Sequence, residues 1–294
     1  YATADRAPMV YCLGVVEHST GTEGVMALSN LALAAGKLGR PGCGINPLRG
    51  QNNVQGACDM GAGPADFTGY QKVANPEMRA KFEAAWGVEL NQAAGLKATE
   101  CFPAMIDGRI RGLFLFGEDP VRTDPDTGHV IRALESLGFF VCEELFMTET
   151  AKYADVILPG RSYAEKEGTF TNTERRVQRV RKAVDGPAGA RLDTEVFADI
   201  MRRMGYDQPT LTGAQLMDEV ASLTPSYAGI SHARLDSAAV AGQGLQWPCM
   251  GPDHPGTRIM HEGAFSRGLG GYSLAQYRPS AERANVVFPL IMMT

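Results

Sequence analysis

The sequence has no C-x-x-C pair, no secretory leader, no apolar run long enough to cross a membrane and no basic block. Its six cysteines (Cys12, Cys43, Cys58, Cys101, Cys142 and Cys249) are scattered, which excludes an iron–sulfur or structural zinc site built within this chain. A chain of 294 residues has no need of disulfides, so reduced thiols in a cytoplasmic protein are expected, with no membrane span. A net charge of −5, with both signs interspersed, is not the footprint of a nucleic-acid binder. Neither G-x-G-x-x-G nor a P-loop is present, so a bound NAD or a simple nucleoside triphosphate has no motif to hold it. An initiator Met is lacking too. The chain opens on YATADRAPMVYCLGVV and closes on NVVFPLIMMT, a β-like run with no turn or cap, which predicts a piece of a larger polypeptide. The hydrophobic fraction, 44%, is ordinary for a folded protein, and the length suits two ordinary domains or one large α/β unit.

What is there centres on residues 46–64, NPLRGQNNVQGACDMGAGP. This run shows neither the two-residue alternation of a strand nor the spacing of an amphipathic helix, and is expected to be irregular. Arg49 sits among four carboxamides, Gln51, Asn52, Asn53 and Gln55, with Gly50, Gly56, Gly61 and Gly63 interleaved. Amides both donate and accept, arginine offers a rigid fork of donors, and glycines let backbone approach a ligand closely. Such a run suits a polar ligand rich in heteroatoms; a solvated Asn/Gly surface loop is the alternative. The absence of Ser, Lys or Glu filler favours the ligand.

Along the chain, residues 8–16 (PMVYCLGVV) read as a buried strand. Thr22 is the expected N-cap of a helix over 23–39 whose face carries Val25, Leu28, Leu31, Ala32 and Ala35, stopped by Gly39 and Pro41. His18, with Glu17, lies in the connecting loop, either as a ligand contact or merely exposed. Helices follow at PEMRAKFEAAWG and ECFPAMIDG. RIRGLFLFG, FFVCEE and DVILPG then read as three parallel strands joined by a helix over DPDTGHVIRALESLG and a loop with a short helical turn. Loops 117–120 (GEDP), 144–150 and 159–168 leave their C-terminal ends, where open α/β sheets bind ligands. Small and acidic residues there suit a nucleotide, although GEDP alone is also a plain turn. Residues 161–182 read as a strand-like solvated ribbon or a rim facing a partner. TEVFADIMRRMG and GAQLMDEVASL are amphipathic helices, and from residue 229 onward a Gly/Pro-rich segment is expected to wrap the rest without regular structure.

NPLRGQNNVQGACDMG, GEDP, LFMTETAKYADVILP, EKEGTFTNTERRVQ and LQWPC with HPGT, in this order, resemble the molybdenum/tungsten bis-pterin (DMSO reductase-type) oxidoreductases, and within them the catalytic α subunits of formate dehydrogenases. The likeness covers nearly the whole chain. It implies parallel Rossmann-like sheet layers flanked by helices, in three parts. Residues 1–50 would end one α/β domain and carry the arginine loop, 51–182 would form a second, dinucleotide-binding α/β domain, and 183–294 would lead towards a barrel domain. The implied cofactor is bis-molybdopterin guanine dinucleotide with Mo or W, together with an iron–sulfur cluster in a domain outside this sequence. Arg49 would bind and orient formate. Gln51, Asn52, Asn53 and Gln55, with Gly56, would contact the pterin or the substrate channel. Gly117, Glu118, Asp119 and Pro120, with Glu144, Met147, Thr148, Thr150 and Asp155, would cradle one dinucleotide, and Glu17 and His18 would lie near the second.

The family's metal-ligating Cys or selenocysteine before His is not in this sequence, and Cys58 and Cys142 are not substitutes, as no His follows either. The chain alone is therefore expected not to oxidise formate. Formate and carbon dioxide, with iron–sulfur and NAD-reducing partner subunits, are the implied partners. A non-catalytic scaffold of the same fold and a nitrate reductase are the alternatives, and Arg49 among four amides favours formate over both.

Overall fold

The computed structural model of the chain describes residues 1–280 and 283–291. Strand β1 (Pro8–Tyr11) breaks at Cys12 into one turn of helix, α1 (Leu13–Val16). The single strand expected over 8–16 is thus two elements. An unbroken apolar run has no period of its own, so it cannot mark where extended backbone stops. The Glu17 N–H donates to the Leu13 carbonyl, and His18 Nε2 lies 3.0 Å from the Gly14 carbonyl oxygen, which together close the turn. Helix α2 (Gly21–Ala34) starts after Thr20, so Thr22 lies inside its first turn and caps nothing. It ends before the expected Gly39, because Gly36 takes a left-handed φ of 61°. Strand β2 (Gly44–Pro47) returns parallel to β1, with Pro8 opposite Gly44 and Tyr11 opposite Pro47.

The run expected to be irregular then forms a helix, α3 (Val54–Asp59), entered through Asn53 in the left-handed region at φ 64°. A short antiparallel pair, β3 (Asp66–Phe67) and β4 (Gln71–Lys72), leads to α4 (Pro76–Trp86) and α5 (Ala98–Ile106). The Asn75 side chain accepts from the N–H groups of Glu77 and Met78, and Pro76 occupies the first helical position, so α4 begins where local chemistry dictates.

A second parallel unit comprises β5 (Gly112–Phe116), α6 (Pro120–Thr123), α7 (Thr127–Glu135), β6 (Phe139–Glu144) and β7 (Val156–Pro159), in the sheet order β5-β6-β7. These are the three strands read from the sequence, with the short helical turn at Thr150–Tyr153 in its expected place. Val130 and Leu134 of α7 pack on Phe140 and Cys142 of β6 and on Val121 and Ala151, all buried. Each such side chain removed from water contributes about 1.5–3 kcal/mol, set against the entropy of ordering the chain.

The ribbon at 161–182 is an antiparallel hairpin, β8 (Gly168–Thr171) and β9 (Arg176–Val180). Helices α8 (Asp193–Arg203), α9 (Gly213–Leu223) and α10 (His232–Asp236) follow, and β10 (Leu245–Gln246) adds a third strand beside β9. The hairpin is no solvated rim. Val177 of β9 is fully buried in a core with Met217, Tyr227, Ile230, Leu235, Leu245 and Cys249. That core ties β9 to elements on the far side of residue 183. The segment beyond 229 contains α10 and β10, contrary to the expectation of no regular structure. The reason lies in distant packing: Leu235 and Leu245 are held by β9 and α9, contacts that local periodicity does not record. Residues 285–291 of the closing β-like run form no strand and are exposed; residues 292–294 lie outside the described residues. Among the described residues, no helix is long and apolar enough to cross a membrane.

Candidate functional site

The C-terminal ends of β1 and β2 deliver two of the predicted loops to one edge, where the Leu48 N–H donates to the Tyr11 carbonyl at 2.8 Å. Glu17, His18, Arg49, Gln51 and Asn52 are all exposed there. Asn53 is half-buried, and its side-chain oxygen accepts from the Thr171 N–H of β8 at 2.8 Å, stitching the loop to the hairpin 118 residues later. Gly56 is buried against the Asn53 carboxamide, so closely that a Cβ there would collide with it. The Thr173 hydroxyl donates to the Pro47 carbonyl at 2.5 Å, a second tie between loop and hairpin.

Beneath the loop lies a residue the sequence reading did not single out. The Asp59 carboxylate is fully buried. Its Oδ1 accepts from Gln55 Nε2 at 2.9 Å and the Tyr70 hydroxyl at 2.8 Å. Its Oδ2 accepts from the Tyr227 hydroxyl at 2.6 Å and Trp247 Nε1 at 2.7 Å. Gln55 also donates to the Tyr70 oxygen at 2.9 Å, and its own oxygen accepts from Arg49 Nε at 3.4 Å. Burial, together with the adjacent Asp59 charge, pushes the Tyr70 and Tyr227 phenols well above their ordinary range, so both remain donors. No sequence spacing links Asp59 to partners 168 and 188 residues away.

Along the second parallel sheet, the predicted residues separate by role. Asp119 Oδ1 accepts from the Thr150 N–H at 2.9 Å and its hydroxyl at 2.6 Å, and the Thr150 oxygen in turn accepts from the Val121 N–H at 3.0 Å. Burial works against the charged form of Asp119, but these bonds, the Glu149 N–H and the nearby Arg122 outweigh it and hold the carboxyl below the usual range. Asp119 and Thr150 thus tie the GEDP turn to the loop after β6. Glu118 accepts from the Thr123 hydroxyl at 3.2 Å, Pro120 opens α6, and Thr148 accepts from the Ala151 N–H at 3.1 Å. Met147 is 66% exposed. Asp155 precedes β7, and its Oδ2 accepts from the Phe140 N–H at 2.7 Å. The structure therefore places Asp155 at the opposite end of the sheet from Gly117 and Glu144, apart from the other candidates.

A cavity of about 890 Å³ lies between the amide loop, the C-terminal ends of β5 and β6, the β8–β9 hairpin and helices α8 and α9, within the range that small-ligand sites occupy. Of the predicted residues, Asn52 and Asn53 line it from the amide loop, and Gly117 and Glu144 from the sheet edge. Arg49, Gln51, Gln55, Gly56, Glu17, His18, Glu118, Asp119, Pro120, Met147, Thr148, Thr150 and Asp155 do not line it.

Further polar residues of the cavity wall were missed, Glu143, Lys166, Asp193 and His232 among them. Glu143 is 1% exposed, and neither carboxyl oxygen has a hydrogen-bond partner. Burial first, then the Asp193 charge, pushes it up to about 7, against the pull of Lys166 and Arg191. Lys166 and Asp193 form an ion pair. Burial and the Arg179 guanidinium lower the His232 pKa, against the pull of Glu167, Asp236 and Asp218, which favours a neutral ring. One signal for Glu143 was available in the sequence: a carboxylate inside the apolar strand run FFVCE is a charge destined for the interior.

Residues 2–203 match the family profile described as molybdopterin oxidoreductase. The F420-dependent formate dehydrogenase 2 subunit alpha of Methanococcus maripaludis is 46% identical over 299 residues, covering 100% of this chain and 43% of that protein. The F420-dependent formate dehydrogenase subunit alpha of Methanocaldococcus jannaschii is 44% identical over 301 residues, with the same coverage of 100% and 43%. The F420-dependent formate dehydrogenase 1 subunit alpha of Methanococcus maripaludis is 40% identical over 298 residues, again 100% and 43%. The chain thus spans somewhat under half the length of these curated relatives. With a profile match over residues 2–203 and relatives at 40–46% identity along its whole length, the chain belongs to the molybdopterin oxidoreductase family.

Proposed function

We propose that this chain forms the arginine-loop and dinucleotide-binding part of the catalytic subunit of a formate dehydrogenase. The observation that carries the reading is the single cavity joining Asn52 and Asn53 to Gly117 and Glu144, with the unpartnered Glu143 carboxyl in its wall. The residues fit a pterin–guanine dinucleotide. A carboxyl with two free oxygens matches the adjacent N–H donors of a guanine or a pterin, and a glycine at the end of β5 leaves room for close approach. Asn52, Asn53, Gly117, Glu143 and Glu144 would hold the group, in its bis form with Mo or W. When bound, that centre supplies the two-electron acceptor for formate oxidation, with an iron–sulfur cluster elsewhere in the protein leading electrons away.

The chain's own part is to bind and orient. Arg49 is exposed at the loop apex, where its guanidinium is free to pair bidentately with a carboxylate, fixing the substrate and neutralising its charge. Asn53 and Gly56 hold the loop backbone against β8. Burial and the Arg179 guanidinium favour the neutral His232 ring, while Glu143, lifted to about 7, ionises within reach of neutral pH and as a carboxylate accepts from two N–H donors. The same reading places the protein in the cytoplasm, with iron–sulfur and acceptor-reducing partner subunits. The sequence resemblance points to NAD as final acceptor, whereas the relatives at 40–46% identity carry F420 in their names, so both belong in the assay.

The test is metal analysis and release of a guanine-containing pterin from the intact enzyme, paired with Arg49→Ala. The variant is expected to retain metal and to lose formate turnover severely. Activity within about threefold of the wild type, roughly 0.7 kcal/mol of barrier, would refute the substrate role.

A further inference from the structure

We propose that Asp59 is a positioning residue for Arg49, acting through Gln55; the inference rests on the reading of Arg49 as the formate-orienting residue. Asp59 is fully buried and takes four donors, none of them a cation. They come from four places in the chain: Gln55 in α3, Tyr70 before β4, Tyr227 after α9 and Trp247 after β10. An ionised carboxylate accepts only, so the group that Gln55 turns towards it must be its NH2. Gln55 Nε2 then donates towards both Asp59 Oδ1 and the Tyr70 oxygen. This fixes the carboxamide against a flip and leaves Oε1 facing Arg49 Nε at 3.4 Å.

The chain of bonds has a direction. A negative charge at Asp59 orients an amide whose oxygen faces the guanidinium, so Arg49 is held through its Nε while its two terminal nitrogens are left for a ligand. If residue 59 could donate, Gln55 could turn over, accept from it, and present N–H groups to a cation. That arrangement repels Arg49 and frees its side chain. The loss is one of aim: the guanidinium stays on the loop but no longer holds one orientation.

The test uses the intact enzyme that carries this chain. Asp59→Asn is expected to raise the formate KM about tenfold while metal content and kcat stay within about threefold of wild type. Adding Gln55→Glu to Asp59→Asn returns an acceptor that cannot flip into a donor and is expected to recover most of the lost affinity. Tyr70→Phe, at a 40% exposed ring, leaves the core filled but removes one anchor of the Gln55 amide, and is expected to raise KM about threefold. A KM unchanged in both Asp59→Asn and Tyr70→Phe overturns the proposal. So does a joint fall of kcat, metal content and melting temperature that Gln55→Glu does not reverse, because that marks a purely structural carboxylate. If Asp59→Asn does not fold, the Tyr70→Phe result decides. Arg49→Ala is measured alongside: formate turnover within about threefold of wild type there refutes the functional reading itself, whereas a severe loss with silent Asp59 and Tyr70 variants refutes only the positioning role.

Discussion

Replacing Glu143 by Gln should remove most of the pH dependence of stability that this carboxyl imposes on the chain. The side chain is buried without a partner and holds its proton up to about pH 7, against an ordinary value near 4.5 in the unfolded chain. Each pH unit of difference corresponds to about 1.4 kcal/mol, so the full effect is about 3 kcal/mol. The folded state binds the proton more tightly, hence this carboxyl's contribution to stability is fully present below about pH 4.5 and is lost as pH rises through about 7. Other carboxylates, Asp119 and Glu174 among them, are held low and act in the opposite sense at acid pH, so the informative quantity is a difference between variants. Urea unfolding of wild type and Glu143→Gln at pH 5, 6, 7 and 8 supplies it. The variant should gain about 2.5 kcal/mol on wild type between pH 5 and pH 8, the steepest part falling between 5 and 7. A difference that stays within about 0.5 kcal/mol across that range would refute the reasoning, since it would mean the carboxyl ionises in the fold as readily as in the open chain.

Other perturbations follow from the same geometry. Gly56→Ala should destabilise the chain by about 1–3 kcal/mol in urea unfolding, because the added methyl meets the Asn53 carboxamide and must push it off the Thr171 N–H. Thr150→Val keeps the shape but leaves the Val121 N–H without a partner and Asp119 Oδ1 with only the backbone N–H of residue 150, and should cost about 1–3 kcal/mol by the same measurement. Burial, with Glu144 and Asp119 nearby, pushes the Cys142 thiol up to about 11. At pH 8 iodoacetamide should therefore modify Cys142 only after denaturation, as read by peptide mass spectrometry, while the partly exposed Cys12 and Cys43 react in the native state.

The parallel unit was readable because each strand is a short β-rich run bounded by turn residues. FFVCEE is β6 residue for residue, and DVILPG overshoots β7 by one residue at each end. Helix α3 was hidden for the opposite reason. Glycine and asparagine are poor helix formers, and VQGACD is held helical by bonds from Asp59 to residues far downstream. At β9 only Val177 faces the core, too few apolar residues among arginines to betray a buried strand. For the candidate site, the amide loop and the GEDP edge were visible as composition, and the cavity joins them. What composition did not distinguish was ligand-facing from structural polar residues. Asp119 and Thr150 spend their hydrogen bonds on each other, whereas Glu143, one residue before the predicted Glu144, spends none.

The stitch from Asn53 to Thr171 and the Tyr227 and Trp247 donors to Asp59 carry a consequence for biogenesis. During synthesis the arginine loop emerges early, yet the segments that secure it arrive well over a hundred residues later. Until then Asp59 lacks half of its donors, and the loop has nothing to settle against. Competence to receive a ligand is therefore acquired only as the later half of this chain docks. Lesions near Tyr227 or Trp247, remote from Arg49 in sequence, should surface as immature, poorly loaded protein.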